Sequence, residues 1–241
     1  MTPAVAPLDR IHEHLDRGGA GSFALLKPAF LERRLQIRFR AVGVADMAAY
    51  ADRLDRDPCE RRRLAGGVAL GVTGFFRDPP VWTWLAGGLA GWPGGACRGW
   101  SAGTATGEEA WSLASVMADL ADRGRLGDWR VLGSDIDGDH IEVAERGEYP
   151  GRSRPAYADR VTFERDDLTV HRNRGPYDVV LCRNVMIYFG AEGQRRMLES
   201  LWDALDPGGL LVLGKAEFVG PDWRDRLRLV DRQERVYRRI G

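Results

Sequence analysis

The chain has 241 residues, 44% of them hydrophobic, and its 35 basic residues balance its 35 acidic ones. This composition predicts a core domain with a smaller companion, and no apolar run is long enough for a membrane span or a signal segment, so we expect a cytoplasmic protein. Three widely separated cysteines and four histidines show no spacing typical of a disulfide framework or a metal site, and we expect no metal.

Residues 1–75 show no strand alternation and predict a small all-α domain. Short helices are expected near residues 27–40, 47–54 and 59–70. The remainder, residues 76–241, alternates apolar strands with helical stretches and is predicted to form the second domain.

The helix predicted over residues 27–40 is strongly basic, and Glu32 is its only acidic residue. Its face is either ordinary solvated surface or a docking site for an acidic helix of another protein. Nucleic acid is disfavoured as a partner because the net charge is zero and no basic patch is interleaved with aromatic residues. The residues that we consider for docking are Arg33, Arg34, Arg38 and Arg40.

The segment Asp78-Pro-Pro80 lies just after the predicted domain boundary. We expect the Asp78 side chain to cap the next helix, with Pro79 at the first helical position, where a missing N–H loses no hydrogen bond. This assignment gives the segment a mechanical role.

The most informative segment runs from Trp100 to Ala114. An apolar strand leads into a loop of small residues, and the acids Glu108-Glu109 stand at the start of a helix. Gly103 and Gly107 permit a tight turn that brings the backbone close to a ligand. Because the two acids would repel a pyrophosphate, the loop favours a cationic cofactor, for which S-adenosylmethionine is the obvious candidate. An ordinary glycine-containing turn is the alternative.

A second strand, Trp129 to Asp135, ends in an acid. In doubly wound folds an acid at this place accepts hydrogen bonds from the ribose hydroxyls of a nucleotide, so Asp135 is the predicted ribose ligand. The next segment begins with the capping residue Asp137 and ends with Gly147, which predicts a helix that returns the chain to the sheet.

Two further strands are predicted, at residues 177–184 and at residues 210–214 after the turn Asp206-Pro-Gly-Gly209. Strands that alternate with helices of this length predict an α/β fold with a mostly parallel sheet and helices on both faces. Ligands of such folds bind at the carboxyl ends of the strands.

Five motifs follow one another along the chain. They are Thr73-Gly-Phe-Phe-Arg77, Ser101-Ala-Gly-Thr-Ala-Thr-Gly-Glu-Glu109, Ser134-Asp-Ile-Asp137, Cys182-Arg-Asn-Val-Met-Ile-Tyr-Phe189 and Pro207-Gly-Gly-Leu210. In this order they resemble the CheR family of chemotaxis receptor methyltransferases. The resemblance implies a Rossmann-like class I methyltransferase fold, with a seven-stranded, mostly parallel sheet after an all-α domain. It also implies S-adenosylmethionine as cofactor and glutamate side chains of receptor helices as methyl acceptors.

The resemblance implies roles for individual residues as well. The methionine part of the cofactor would contact Thr73, Arg77 and Cys182-Arg183-Asn184, and Glu109 would face its polar groups. Asp167 and Leu168 would flank the adenine. With Gly103 and Asp135, the complete set of expected cofactor-binding residues is Thr73, Arg77, Gly103, Glu109, Asp135, Asp167, Leu168, Cys182, Arg183 and Asn184.

Methyl transfer to a carboxylate is an in-line displacement at the carbon bound to the sulfonium. Glutamate is already ionised near neutral pH, so no general base is needed, and catalysis depends on alignment and on exclusion of water. We expect Arg77 to orient the acceptor carboxylate and Tyr188 to place its hydroxyl at the same point. The alternatives are a surface ion pair of Arg77 with Asp78, and a core position for Tyr188 beside Phe189.

The chain departs from the family at three places. Gly71 and Asp167 stand where the family usually has asparagine, which removes one polar contact and changes the charge of another. Between Tyr149 and Val161 only eleven residues remain, whereas the chemotaxis enzymes carry a small antiparallel subdomain there that grips a receptor tail in some members. Eleven residues with two prolines and a glycine predict no such subdomain, so we expect no capture of a tail.

Three functions remain open. A protein-glutamate O-methyltransferase accounts for all the motifs and for the basic helix, whereas a small-molecule methyltransferase accounts for the motifs and for the shortened segment. A non-catalytic cofactor-binding module is the third, although Arg77 and Tyr188 are both retained. An oxidoreductase is disfavoured because Gly103-Thr-Ala-Thr-Gly107 lacks the third glycine of the dinucleotide fingerprint.

Overall fold

The computed structural model describes residues 6–17, 23–68, 71, 73–92, 95–170 and 175–241. The chain divides into a helical unit, residues 1–70 with 188–194, and a sheet unit, residues 71–187 with 195–241. The helical unit therefore includes a short segment of the predicted second domain. None of the described helices is long and apolar enough to cross a membrane.

Four α-helices belong to the helical unit. They are α1 (Pro7–Arg17), α2 (Pro28–Val42), α3 (Met47–Arg56) and α4 (Pro58–Val68). The three helices predicted from the sequence correspond to α2, α3 and α4, although residues 69 and 70 of the last prediction lie outside the described residues. At the start of α3 the Asp46 carboxylate accepts the N–H of Ala49 at 2.8 Å, and Gly43 ends α2 with a φ of 69°.

The core of the helical unit is apolar except for one carboxylate. Its fully buried apolar side chains include Ile11, Leu15, Leu35, Leu54 and Leu64. Among them Glu60, itself 0% exposed, accepts hydrogen bonds from Tyr50 Oη at 2.7 Å and from Arg38 Nε and Nη2 at 2.8 and 2.6 Å. A buried charge is tolerated here because its oxygens have partners and its counter-ion is adjacent.

Seven strands form one sheet in the sheet unit, in the order β3-β2-β1-β4-β5-β7-β6. They are β1 (Ala96–Ala102), β2 (Asp128–Asp135), β3 (Val161–Arg165), β4 (Tyr177–Cys182), β5 (Leu205–Leu213), β6 (Leu227–Asp231) and β7 (Val236–Arg239). The first five strands in that order are parallel, whereas β7 is antiparallel to both β5 and β6. The predicted mostly parallel, seven-stranded sheet is confirmed.

Helix α5 (Pro79–Leu89) precedes β1, and three further helices connect strands within the described residues: α6 (Glu108–Asp122), α7 (Gly138–Arg146) and α8 (Ala191–Ala204). A Cβ at Gly99 of β1 would lie 2.7 Å from the Leu113 side chain, so glycine allows α6 to pack closely on the sheet. The predicted boundaries of α7 are confirmed, since Asp137 accepts the N–H of Asp139 at 2.9 Å and Gly147 follows the helix with a φ of 63°.

The segment between α7 and β3 contains no strand. Tyr149 and Arg152 form a single isolated bridge, and a 3-10 turn at Ala158–Arg160 precedes β3. The Tyr149 hydroxyl donates to the carbonyl oxygen of Thr106 at 2.6 Å, which attaches this short segment to the loop after β1. All residues from 149 to 161 are described, so the predicted lack of an antiparallel subdomain is confirmed.

Candidate functional site

The carboxyl ends of β1, β2, β4 and β5 lie at one edge of the sheet because these neighbouring strands are parallel. The loop after β1 is bound to β2, since the N–H groups of Gly103 and Thr104 both donate to the Ser134 carbonyl, at 2.8 and 2.9 Å. Gly107 has a φ of 97°, and a Cβ there would lie 2.6 Å from the Ala144 Cβ. Only glycine fits this turn, from which α6 begins.

Asp135 ends β2 as the sequence predicted. Its Oδ2 accepts the N–H of Ala105 at 2.8 Å, and its Oδ1 accepts the N–H of Asp137 at 3.0 Å. Two backbone amides therefore fix the carboxylate, and its remaining acceptor capacity suits a hydroxyl-rich ligand.

A buried ion network links the start of α6 to the carboxyl end of β4. Glu109 is 8% exposed and accepts from Ser101 Oγ at 3.0 Å and from Arg183 Nη1 at 3.1 Å. Arg183 also donates to Asp78 Oδ2 at 2.7 Å and to the Arg77 carbonyl at 3.0 Å. Burial raises the pKa of Glu109, and the neighbouring Arg183 opposes that shift.

One expectation is corrected by this network. Asp78 lies at the N-cap of α5 with Pro79 following, but it has a φ of 58° and makes no side-chain cap, because its carboxylate binds Arg183. The Arg183 side chain is 2% exposed and donates to Glu109, Asp78 and the Arg77 carbonyl, so these bonds support the site, and its contact with the cofactor stays a prediction. Arg77 itself is exposed, and its backbone carbonyl also accepts from Trp82 Nε1 at 3.0 Å.

The tip of β4 is held by a residue that the sequence reasoning missed. Glu217 is 4% exposed and accepts the N–H groups of Gly214, Asn184 and Ile187 at 2.7, 2.8 and 3.2 Å. It follows the end of β5 by four positions, so an acid just beyond a predicted central strand was the available signal. Its three bonds determine the path of the chain after Cys182.

Asn184 is the residue that this arrangement presents at the strand ends. It adopts a φ of 61°, and its Oδ1 is buried without a hydrogen-bond partner among the described residues. Cys182, two residues earlier, is fully buried, and burial raises the pKa of its thiol, so the thiol is neutral; its contact with the cofactor stays a prediction. A buried acceptor without a partner suits a donor on a ligand.

The residues expected beside the adenine lie after β3. Leu168 is buried, as an apolar contact to a ring requires, and Asp167 Oδ1 accepts from the N–H and Oγ1 of Thr169 at 2.9 and 2.7 Å. Asp167 therefore stabilises its own turn. Thr73, expected at the methionine end, is half-buried ahead of α5.

Tyr188 belongs to the helical unit. Its ring centroid lies 4.7 Å from that of Phe30, and its carbonyl accepts the N–H of Lys27 at 2.9 Å. Contact with Phe30 on α2 gives the half-buried Tyr188 a packing role in that unit, and its catalytic role stays a prediction.

The four candidate docking arginines of α2 differ in their surroundings. Arg33 and Arg40 are exposed, whereas Arg34 lies over the Phe30 ring at 5.6 Å, and burial lowers its pKa. The Arg38 side chain is 20% exposed and is paired with the buried Glu60, so less of its charge is available for docking than that of an unpaired surface arginine. The exposed charge on this helix therefore comes mainly from Arg33 and Arg40.

Comparison with known families decides the identity of the fold. The chain matches the CheR methyltransferase SAM-binding domain over residues 71–156 and 153–236, and the CheR methyltransferase all-alpha domain over residues 22–66. The chain belongs to the CheR methyltransferase family. It is therefore a methyltransferase that depends on S-adenosylmethionine, and the predicted family, fold and cofactor are confirmed.

Relatives support this membership. The chain is 32% identical to a chemotaxis protein methyltransferase of Klebsiella aerogenes, covering 83% of this chain and 78% of the relative. Chemotaxis protein methyltransferase 2 of Pseudomonas aeruginosa is 30% identical, over 86% and 85%. A 104.1 kDa uncharacterized protein of Rhodobacter capsulatus is 31% identical over 90% of this chain, which spans only 26% of that relative.

The residues at the strand ends fit this CheR cofactor. Two carboxylates lie there, the half-buried Asp135 and the buried Glu109 that is paired with Arg183, and they favour a cation over a phosphate. Asn184 Oδ1 offers an acceptor that has no donor among the described residues. The glycines of the loop allow its backbone to approach the ligand.

Proposed function

We propose that this CheR-family enzyme methylates glutamate carboxylates of an acidic, helical protein of the chemoreceptor type. The observation that carries the proposal is the match to the family's all-alpha domain over residues 22–66, whose helix α2 exposes Arg33 and Arg40. An enzyme for small acids needs no basic face beyond its pocket. We also propose a cytoplasmic location, as the sequence predicts.

S-adenosylmethionine supplies the reaction with a methyl group on a positively charged sulfur. Asp135, held by the N–H groups of Ala105 and Asp137, would accept hydrogen bonds from the ribose hydroxyls. Asn184 Oδ1 would accept from a donor of the methionine part. Glu109 contributes negative charge to the site, which its ion pair with Arg183 partly neutralises.

Arg77 is the residue that would orient the acceptor carboxylate. Arg183 holds the Arg77 carbonyl at 3.0 Å and the adjacent Asp78 at 2.7 Å, so the backbone that bears Arg77 is fixed by a buried cation. A guanidinium aligns a carboxylate through paired hydrogen bonds, and the ionised acceptor needs no base. The chemical role of the segment that bears Arg77 is therefore to align the acceptor carboxylate with the methyl group.

A small-molecule acid is the second candidate acceptor. One observation favours it: residues 149–160 form a single bridge and a 3-10 turn, so no strand-forming subdomain is available for a receptor tail. A protein acceptor must then be recognised by surface charge alone.

The test is transfer of labelled methyl groups from S-adenosylmethionine to a receptor cytoplasmic fragment, read as a base-labile ester. We expect Arg77→Ala to lower kcat by about a hundredfold while S-adenosylhomocysteine binds almost as before, because an orienting group acts on the transition state. Arg228→Ala, an exposed arginine of β6, is the control and should leave kcat unchanged.

Two outcomes would contradict the proposal in different ways. Labelled product confined to small-molecule extracts would replace the protein acceptor with a small acid. Cofactor binding without transfer to either acceptor, in wild type and in Arg77→Ala alike, would favour the non-catalytic module.

A further inference from the structure

His140 of α7 lies beside Asp135 in the candidate cofactor site, although no role was predicted for it from the sequence. Its Nδ1 is 3.5 Å from Asp135 Oδ1 and 3.9 Å from Asp137 Oδ2, and its side chain is 19% exposed. Asp135 is the proposed ribose ligand. The imidazole therefore lies next to the carboxylate that we propose for cofactor binding.

The same ring covers Gly71. A Cβ added to Gly71 would lie 2.4 Å from His140 Nε2 and 2.5 Å from Cε1, closer than real Cβ contacts allow. The imidazole therefore occupies the space that any side chain at position 71 would need. The His140 side chain of α7 fills this space because Gly71 has no side chain of its own.

Charges around His140 favour its protonated form. The pKa of the imidazole is raised, first by its interaction with the Asp135 carboxylate and then by the charges of Asp137 and Asp139, while burial opposes the shift. On the neighbouring β3, Arg165 Nε donates to the Ile136 carbonyl at 2.9 Å. At neutral pH a larger share of His140 is thus a cation than for an ordinary histidine.

We propose that His140 is a positioning residue for the cofactor, which holds the Asp135 carboxylate in its binding orientation and closes the site over Gly71. This inference rests on the proposed placement of the ribose at Asp135. Two amides already bind Asp135 from the loop and turn, and His140 adds a charge contact from the helix side, since its buried Nδ1 lies 3.5 Å from Asp135 Oδ1 without a hydrogen bond to any described residue. The remaining acceptor capacity of the carboxylate is then directed to the ligand.

The first test measures S-adenosylhomocysteine affinity by calorimetry in a two-site cycle. His140→Ala and Gly71→Ala should each weaken binding about fivefold, one by freeing Asp135 and the other by displacing the ring. In the double variant that combines His140→Ala with Gly71→Ala, the substitution at Gly71 should cause no further loss of affinity, because the imidazole that it would displace is absent. Gly87→Ala on α5 is the matched control, since a Cβ there meets no atom within 4 Å.

The second test separates positioning from a merely structural role through pH. Wild-type affinity should weaken as pH rises from about 6 to about 8.5, because deprotonation removes the charged contact to Asp135. His140→Asn keeps a donor without a titrating charge, so it should bind better than His140→Ala and show no such pH dependence.

Asp135→Ala distinguishes the ways in which the inference can fail. If Asp135→Ala loses affinity while His140→Ala and Gly71→Ala bind as wild type at both pH values, the role of His140 is overturned and the cofactor site stands. If Asp135→Ala also binds normally, the ribose placement itself is wrong. Additive losses in the double variant would show that Gly71 and His140 act independently, which overturns the proposed closure.

Discussion

The helical unit and the sheet unit each bury a carboxylate, and they satisfy it in different ways. Glu60 receives its hydrogen bonds from side chains, those of Arg38 and Tyr50, whereas Glu217 receives its bonds from three backbone N–H groups. The first arrangement joins α2, α3 and α4. The second determines the course of two loops at the carboxyl ends of β4 and β5.

This difference predicts which property of the protein depends on each of these two acids. A carboxylate paired with long side chains stabilises the packing of helices, and it can be lost without changing the shape of a distant site. A carboxylate that binds backbone amides fixes φ and ψ, as at Asn184 with its φ of 61°. Variants of the two acids should therefore lose different properties, stability in one case and cofactor affinity as well in the other.

The largest effect is expected at Glu217. Glu217→Ala leaves the N–H groups of Gly214, Asn184 and Ile187 without their acceptor, which should cost about 3 to 5 kcal/mol of unfolding free energy. S-adenosylhomocysteine affinity of the folded fraction should fall about tenfold or more, because Asn184 is no longer held.

Glu234→Gln is the control for Glu217, since Glu234 is 9% exposed but lies in the turn between β6 and β7. Denaturant unfolding and calorimetry on both variants check the prediction. Normal cofactor affinity in folded Glu217→Ala would show that the tip of β4 keeps its shape without this acid. Glu217 would then affect stability alone, as we expect of Glu60, and the proposed difference between the two acids would be wrong.

Glu60→Gln should lower stability by about 2 to 4 kcal/mol, because it leaves Arg38 without its buried counter-ion. Cofactor affinity should not change. Burial alone would raise the pKa of Glu60, but hydrogen bonds from Arg38 and Tyr50 lower it overall. Ionised Glu60 therefore stabilises the folded protein at any pH above the pKa of this group in the unfolded chain, about 4.3. This contribution is lost as the pH falls through the lower pKa that Glu60 has in the folded protein.

The difference between wild type and Glu60→Gln should thus shrink on acidification below about pH 4, when measured by denaturant unfolding. Asp119→Asn, which removes one partner of the exposed Asp119–Arg123 pair of α6, should cost about 1 kcal/mol or less. An equally large loss in both variants would argue against burial as the reason for the effect of Glu60.

The fold was predictable, together with the places of Asp135 and Gly107 in it, because it depends on local signals. Strand runs, the loop glycines and the acid after β2 sit close together in the sequence, and parallel topology brings strand ends to one edge. Asp135 and Gly107 needed no knowledge of distant contacts. The predicted strands and helices accordingly agree with the structure in order and type, except that the turn predicted at residues 206–209 is an irregular part of β5.

Long-range partners could not be predicted in the same way. Arg183 meets Asp78 and Glu109 from positions 105 and 74 residues away, and Arg38 meets Glu60 from 22 residues away. A sequence shows that charges of both signs are present, but not which pairs are buried together. For the same reason Arg38 was predicted to lie on a surface, and His140 received no role.

A smaller effect than those at the two acids is expected at Arg183. Arg183→Lys keeps the charge but cannot donate at once to Asp78, Glu109 and the Arg77 carbonyl, so the backbone that bears Arg77 loses an anchor. We expect kcat to fall about tenfold, with a smaller change in cofactor affinity.

Steady-state kinetics with saturating cofactor check this prediction for Arg183. Arg123→Lys, in an exposed i,i+4 pair of α6, serves as the control and should be neutral. If affinity falls as far as kcat, Arg183 acts on the cofactor directly, which is the role that the family resemblance first implied.

The smallest effect is expected on the basic face of α2. If the acceptor is an acidic helical protein, reversing both exposed charges in Arg33→Glu with Arg40→Glu should raise KM several-fold without changing S-adenosylhomocysteine affinity. The wild-type rate should also fall as ionic strength rises past about 0.15 M, where charges are screened beyond about 8 Å. Arg38 is left intact in this variant because its loss would unpair Glu60 and confuse stability with docking.

Arg228→Glu with Arg232→Glu is the matched reversal, since both arginines are exposed in and after β6 of the sheet unit. It changes the net charge equally, so a specific docking face predicts a normal KM for this control. An equal rise in KM for both reversals would mean that overall charge attracts the acceptor. No rise in either would leave α2 as ordinary solvated surface, and the choice between a protein and a small acid would then depend on the labelled product alone.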